Sequence, residues 1–588
     1  MRGLPGHGLP LHERRLCVRL GMGLGLAVAA IACAEQQIDV AVREFTSVRQ
    51  EFIDTFLDQN PTLATQLGLH DYDEKLADLS AAGVEAGAVR FEALLKRLRK
   101  IDPSLLDPAD QIDYEILKAR LHAELLERRE VRTHALNPMV YPLEVSIGLA
   151  SLATLPYASV EERMERATVR LQAVPQLLQS ARETLERPPL LFTRLALHLA
   201  NAGERFLSSE YSGAFGLVRN LDLRADFEIS RAEAASAMRG FAHWLESELL
   251  PRSDGHFAIG ISRFARKLLY EELLDVPLHR LLALGEAELA RQQEELVRLA
   301  AEFMPGAEPR EVMAALSRSH PNPQEVLEVA RRWMEQSRQF LEENPVLTLP
   351  EGPVPEVRQT PSFLRFTFAA MNSAGPFEQG NLDSYYYLTP PEADWSPGRT
   401  EAYLSEFNHW VLGIVSLHET YPGHHLQTLA QRKSASLLRR VVPVASYSEG
   451  WAHYCEQMML EEGYGDSDIR LKLVQIKDSL LRLCRLVAAV RLHTLGMSVE
   501  EARRLFMEKA LVSPLVARQE AERGAYDPMV LVYALGKMQI FKLREDLRED
   551  QGDRFNVKAF HDRLLSEGEI PLPLLRRRLL PDDPSPSL

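Results

Sequence analysis

Residues 411–456 read VLGIVSLHETYPGHHLQTLAQRKSASLLRRVVPVASYSEGWAHYCE. The first half carries His418-Glu419, then Pro422-Gly423, then His424-His425; the second half carries Glu449, His453 and Glu456. No other stretch of the chain sets so many metal-capable side chains beside apolar helical sequence. It reads as a zinc site. In the common zinc-peptidase helix two histidines stand at i and i+4, with a glutamate beside the first as general base. Here the i+4 position is Pro422. A straight helix would next face the same way at i+7, about 10.5 Å further along its axis. Two zinc–nitrogen bonds of roughly 2.0–2.1 Å cannot both form across that rise.

Proline lacks the amide donor and clashes with the carbonyl four residues back, that of His418. Gly423 permits backbone angles that other residues resist. The pair therefore predicts a bulged helix that returns a later histidine over His418. His424 is the expected second ligand and His425 the reserve; the plain alternative is a histidine-rich helix end. Glu449 is the expected third ligand. It lies 25 residues beyond His424, room for a helix end, a loop and a returning helix. Its competing role is a capping box with Ser446, closing its own helix. Glu449, His453 and Glu456 share a helical face at i, i+4 and i+7. One glutamate can bind metal while another orients a histidine, so Glu456 is the reserve ligand. Three protein ligands leave a fourth position for water. Glu419 is the expected catalytic base, taking the water's proton and passing it to the leaving amine. Charge developing on the carbonyl oxygen needs a further donor. The candidates are His493 in LHTLG, Tyr526, and Tyr533 in YALGKM, each of which could equally be a packed residue.

At 588 residues the chain exceeds one compact core. With 68 basic and 83 acidic residues the net charge is −15, which argues against nucleic acid and against general adhesion to anionic lipid. Arg14, Arg15 and Arg19 precede the apolar run LGMGLGLAVAAI, and Ala32-Cys33-Ala34 follow. That is the order of a secretory signal over residues 1–34, too short an apolar run to span a bilayer comfortably. It ends either in ordinary cleavage or, through a poor lipoprotein box, in a lipid anchor at Cys33. Export to the periplasm, free or anchored, is the expected location, with no membrane span in the mature chain. Arg14-Arg15 fits a twin-arginine signal badly. Two cysteines then remain, Cys455 and Cys484, and no disulfide framework.

Residues 35–344 read as an N-terminal helical region, with apolar residues at three- and four-residue spacing. Residues 345–588 read as the catalytic region. It opens with six prolines between Pro345 and Pro376 and the run Ser384–Leu388, a small sheet whose tyrosine-rich strand is an expected edge for an extended peptide. A single helix is expected over Thr400–Leu417, and the tail DDPSPSL reads as frayed. The fold class is mainly α.

At these motifs the chain resembles a bacterial family known as domain of unknown function 885. The resemblance rests on HETYPGHH, on Glu449-Gly450-Trp451-Ala452, and on RLHTLGMSVEEA, GAYDPMVLVYALGKMQIFKLRED and FHDRLLSEGEIPLPLLRRRLL. That family looks distantly similar to helical gluzincin-type zinc peptidases, thimet oligopeptidase-like and angiotensin-converting-enzyme-like. The resemblance implies a two-lobed helical zinc-peptidase-like fold with a small β-sheet beside the active-site helix, one zinc ion, and His424 with Glu449 as ligands. One departure bears on His493. Many relatives place an aspartate shortly before that histidine, where this chain has Ala488-Ala489-Val490-Arg491. The expected function is a zinc metallopeptidase hydrolysing short peptides. The alternatives are a degenerate peptide-binding protein of the same fold, or a zinc hydrolase of a non-peptide amide.

Overall fold

The computed structural model describes residues 11–588 except 362–364, 366, 381, 467 and 584, with side chains described from residue 35. The side chains of the signal segment, Cys33 included, lie outside the described residues. The chain is mainly helical with one small sheet. No helix among the described residues is long and apolar enough to cross a membrane.

Side-chain and proline caps punctuate the helices. Ser80, Asp107 and Ser159 accept from amides in the first turns of Ala81–Leu98, Pro108–Leu126 and Val160–Thr184, which satisfies donors that a helix start leaves free. Two main apolar cores form. One is built by residues 139–249, around Leu171, Phe206, Tyr211 and Phe227. The other runs from Phe45 and Phe91 through Leu281 and Leu341 to Trp451, Leu483 and Leu575, so residues from both halves of the chain share it.

The sheet has three strands, β1 (Glu356–Gln359), β2 (Ala369–Asn372) and β3 (Tyr385–Leu388), in the order β1-β3-β2. β3 is parallel to β1 and antiparallel to β2, with Met371 opposite Tyr386. This corrects the expected edge: the tyrosine-rich strand is the buried centre, and β2 forms the edge toward the metal-ligand stretch. Aromatic strand composition marks a strand buried on both faces as readily as an edge. The helix expected over Thr400–Leu417 is also two, Pro397–Glu406 and His409–Glu419. Asn408 divides them, its side chain accepting from the amides of Trp410 and Val411 as the second helix's cap. The tail is held rather than frayed. Arg576 donates to the Ser585 carbonyl, and Gln539 to the Ser587 hydroxyl.

Two contacts fix the parts that matter for the site. The helices Ala445–Glu461 and Val532–Gln551 cross at Gly450 and Gly536. A Cβ on Gly536 would lie 1.9 Å from the Ser446 carbonyl oxygen and 2.7 Å from the Gly450 Cα. Further off, His70 ties the N-terminal region to the loop after β2. Its Nδ1 meets Asp73 at 3.0 Å, its Nε2 meets Glu378 at 3.2 Å, and its ring stacks on Tyr157 at 3.5 Å. Burial works to lower the pKa of His70, but the two carboxylates raise it to about 9.

Gly536→Ala should lower the midpoint of thermal unfolding, by an overpacking cost of about 1–3 kcal/mol. Gly398→Ala, where an added Cβ meets nothing within 4 Å, should not. The histidine joint has a signed pH dependence. Its folded pKa lies above the unfolded value of 6.5, so its contribution is full below that value and fades as pH rises through about 9. The difference in melting temperature between wild type and His70→Gln should therefore be larger at about pH 6.5 than at about pH 10.

Candidate metal centre

The helix His409–Glu419 stops at Thr420, and a new helix starts at His424. Between them the Tyr421–Pro422 peptide is cis, and the Gly423 amide donates to the Leu417 carbonyl at 3.0 Å. Gly423 comes so close that an added Cβ would stand 1.8 Å from the His418 carbonyl oxygen. Only glycine fits there. The chain thus doubles back on itself, and the His418 and His424 rings stand perpendicular with centroids 4.8 Å apart.

The helix Ala445–Glu461 brings Glu449 to the same point. Trp451 pins this helix to the break, its indole N–H donating to the Pro422 carbonyl at 2.9 Å. Cys455, a buried free thiol, rests against the same oxygen. Glu449 Oε2 lies 3.4 Å from His424 Nε2 and 3.6 Å from His418 Nε2. The capping role open to Glu449 is filled by others. Ser446 donates its hydroxyl to Glu272, and the Val444 amide donates to Glu569 at 3.0 Å. Burial raises the pKa of both those carboxyls, each to about 8, so they cap as neutral groups near pH 7.

Three observations test whether a divalent ion fits. His418, His424 and Glu449 offer ligand atoms that all lie within 4.8 Å of one another, and ligands at roughly 2.0–2.2 Å around a tetrahedral ion stand about 3.3–3.5 Å apart. Glu449 Oε2 is buried with no hydrogen-bond partner, an arrangement that is costly unless something cationic faces it. The electrostatics also favour positive charge. Burial works to lower the pKa of His418, yet Glu449 and Glu456 raise it to about 9; burial works to raise that of Glu449, yet the two histidines hold it well below the usual carboxylate range. The residues present fit a cation bound through two imidazoles and one carboxylate.

Glu456 stands behind this set. Fully buried, it accepts from His418 Nδ1 at 2.9 Å and from His453 Nδ1 at 3.0 Å, and pairs with Arg482 at 3.2 Å. It fixes the His418 tautomer so that Nε2 faces Glu449. The reserve glutamate is therefore an orienting group here. The reserve histidine points away: His425 Nε2 donates to the Pro353 carbonyl at 3.0 Å, and burial lowers its pKa to about 4. Glu419 stands beside the cluster, its Oε2 accepting from the Met371 amide of β2 at 2.9 Å.

Of the three candidate donors, the structure brings Tyr533 to the cluster. It lies one turn before the Gly536 crossing, as Glu449 directly precedes Gly450. Burial raises its pKa first, then the Glu449 charge, so the hydroxyl keeps its proton. Arg523 donates to that hydroxyl at 3.1 Å, and the Arg482 and Arg485 guanidinium groups lie over the ring. His493 is elsewhere. Its Nε2 donates to the Gly524 carbonyl at 2.9 Å and its Nδ1 accepts from the Ile259 amide. Both nitrogens serve backbone groups, and with Tyr526 it lines a separate cavity of about 720 Å³. Arg482, Arg523 and Lys537 are further charged residues of this region. The signal in the sequence is a charged residue on an apolar helix stripe, as in LLRLC and ALGKM, since such a group is buried only with a partner.

The arrangement defines a class: a mainly helical protein holding two histidines and a glutamate around one open point, with a second glutamate alongside. The chain belongs to the DUF885 family, bacterial proteins of unknown function, whose pattern matches residues 61–579. It is similar in structure to a candidate lipoprotein of unknown function from Shewanella oneidensis, at 25% identity and a TM-score of 0.75, covering 91% of this chain and 99% of that one. It is also similar to a candidate lipoprotein from Colwellia psychrerythraea, at 18% identity and a TM-score of 0.77, covering 91% and 98%. No curated protein matches the chain.

Metal stoichiometry after zinc loading tests the ligand set. Wild type and His425→Ala should hold about one ion per chain, while His424→Ala and Glu449→Gln should fall below about 0.2. Glu456→Gln should keep the site but weaken it by about 10- to 100-fold.

Proposed function

We propose that this protein is a zinc-dependent peptidase of the helical gluzincin type, acting on short peptides. The observation that carries the reading is the His418–His424–Glu449 set, with a buried Glu449 oxygen that has no hydrogen-bond partner, and Glu419 next to His418 in the chain. A merely structural metal site has no use for the neighbouring carboxylate.

Held by His418, His424 and Glu449, zinc would supply Lewis-acid chemistry, polarising a carbonyl and making water nucleophilic at neutral pH. The chain's own groups do the rest. Glu419 accepts the proton of the attacking water and returns it to the amine that leaves. Its bond to the Met371 amide holds the carboxylate in place and also shows that this N–H points away from β3. With a strand's period of two, Ala369 presents its backbone groups on the same outer side. An extended peptide pairing along β2 would thus run past Glu419. Tyr533, protonated and held by Arg523, is the donor toward the oxygen that gains charge. Glu456 keeps His418 oriented throughout. An exported location, free or lipid-anchored at Cys33, accords with the two similar structures, both of candidate lipoproteins.

Glu419→Gln is the direct test. Hydrolysis of a short-peptide library should fall by at least about 100-fold, the contribution typical of a positioned general base, while zinc content stays at the wild-type level. Retained hydrolysis would place the base elsewhere.

A further inference from the structure

On the far side of Glu456 from His418, a cavity of about 390 Å³ opens between the helices Leu278–Phe303, Ala445–Glu461, Ile469–Thr494 and Val532–Gln551. Its volume falls in the range of small-molecule sites. Lys537 lines it and is 4% exposed. Among the described residues the one hydrogen-bond acceptor of this ammonium is Ser479 Oγ, at 3.2 Å, and no carboxylate lies within ion-pair distance of it. The ammonium also lies 5.9 Å from the Phe541 ring centroid, but with three donors and one acceptor it is short of hydrogen-bond partners. The two acidic residues of the lining are already engaged. Glu288 accepts from Arg291 and Gln292, and Glu461 from Arg544 and Gln457. Gln292 is 5% exposed, and its Oε1 is buried with no partner at all. Leu284, Leu483, Met538 and Phe541 give the wall an apolar surface, and its other cations are paired, Arg291 with Glu288, Arg544 with Glu461 and Lys542 with Asp546.

The cavity therefore lacks an anion at Lys537 and a donor at Gln292, and offers an apolar surface. We propose that it binds a free amino acid with an apolar side chain. The carboxylate meets Lys537 Nζ, the ammonium donates to Gln292 Oε1, and the side chain lies on the apolar wall.

The cavity is joined to the metal cluster by an unbroken chain of hydrogen bonds. Ser479 Oγ contacts His453 Nε2 at 3.4 Å, His453 Nδ1 donates to Glu456 at 3.0 Å, and His418 Nδ1 donates to the same carboxylate at 2.9 Å. A ligand that draws Lys537 away from Ser479 thus alters the support of His418. That the ligand belongs to the product class of the reaction rests on the peptidase reading; the binding itself does not.

Calorimetric titration of the full-length protein with L-leucine, L-leucinamide and 4-methylpentanoate tests this. L-Leucine should bind one per chain. Leucinamide, lacking the carboxylate, and 4-methylpentanoate, lacking the ammonium, should each bind about tenfold or more weakly, as the loss of a charge-assisted hydrogen bond predicts. Lys537→Met should lose leucine to the same degree, and Glu449→Gln should retain it, which separates this cavity from the metal cluster. No binding of leucine, with water alone filling the cavity, overturns the proposal. So does leucinamide binding as tightly as leucine, Lys537→Met binding unchanged, or loss of binding in Glu449→Gln. All titrations are run in the Glu419→Gln background, where leucinamide is not turned over to leucine, so the outcomes stand whether or not the protein hydrolyses peptides.

Discussion

The site depends on one close approach, that of Gly423 to the carbonyl of His418. Any side chain at 423 would overlap that oxygen. Because none is there, the backbone can turn within four residues and stack one helix start against another helix end. Six residues apart in sequence, His418 and His424 then face each other, where a continuous helix would separate them along its axis. Trp451 and Cys455 both rest on the Pro422 carbonyl, so the break is also the surface on which the glutamate helix sits.

Around that break the structure places its charges in layers. Glu449 has an oxygen with no hydrogen-bond partner, facing two imidazoles, while Glu456, two turns further along the same face, is satisfied by His418, His453 and Arg482. Burial opposes the charge of both, though Glu449 keeps some contact with solvent and Glu456 has none; the difference in role comes from what faces them. The capping work at the start of the same helix falls to Glu272 and Glu569, kept neutral near pH 7 by burial. Glu449 is thereby free of its helix end, and the crossing of Gly450 over Gly536 sets Tyr533 beside it.

Much of this was legible in sequence, and the rest fails for definable reasons. Helices announce themselves by spacing, and a proline-glycine pair between histidines forces a geometric choice that a straight helix cannot meet. The second glutamate could be assigned a supporting role because it shares a helical face with the first. The strand order could not be read, because Tyr385–Leu388 has a composition that suits centre and edge equally. Asn408 was overlooked as a cap since apolar periodicity continues across it. His493 looked like a donor, but its two backbone partners come from Ile259 and Gly524, which lie far apart in the chain. Lys537 and Ser479 meet only across two helices, so the pattern in ALGKM can mark Lys537 as buried but cannot name its partner.

In the proposed metal centre two imidazoles and one carboxylate share a single ion, with Glu419 outside its coordination. X-ray absorption at the zinc edge of the zinc-loaded protein tests this directly. Scattering should come from two imidazoles and from oxygen ligands at roughly 2.0–2.1 Å, without sulfur. A sulfur shell at about 2.3 Å, a single imidazole, or oxygen ligands alone would contradict it.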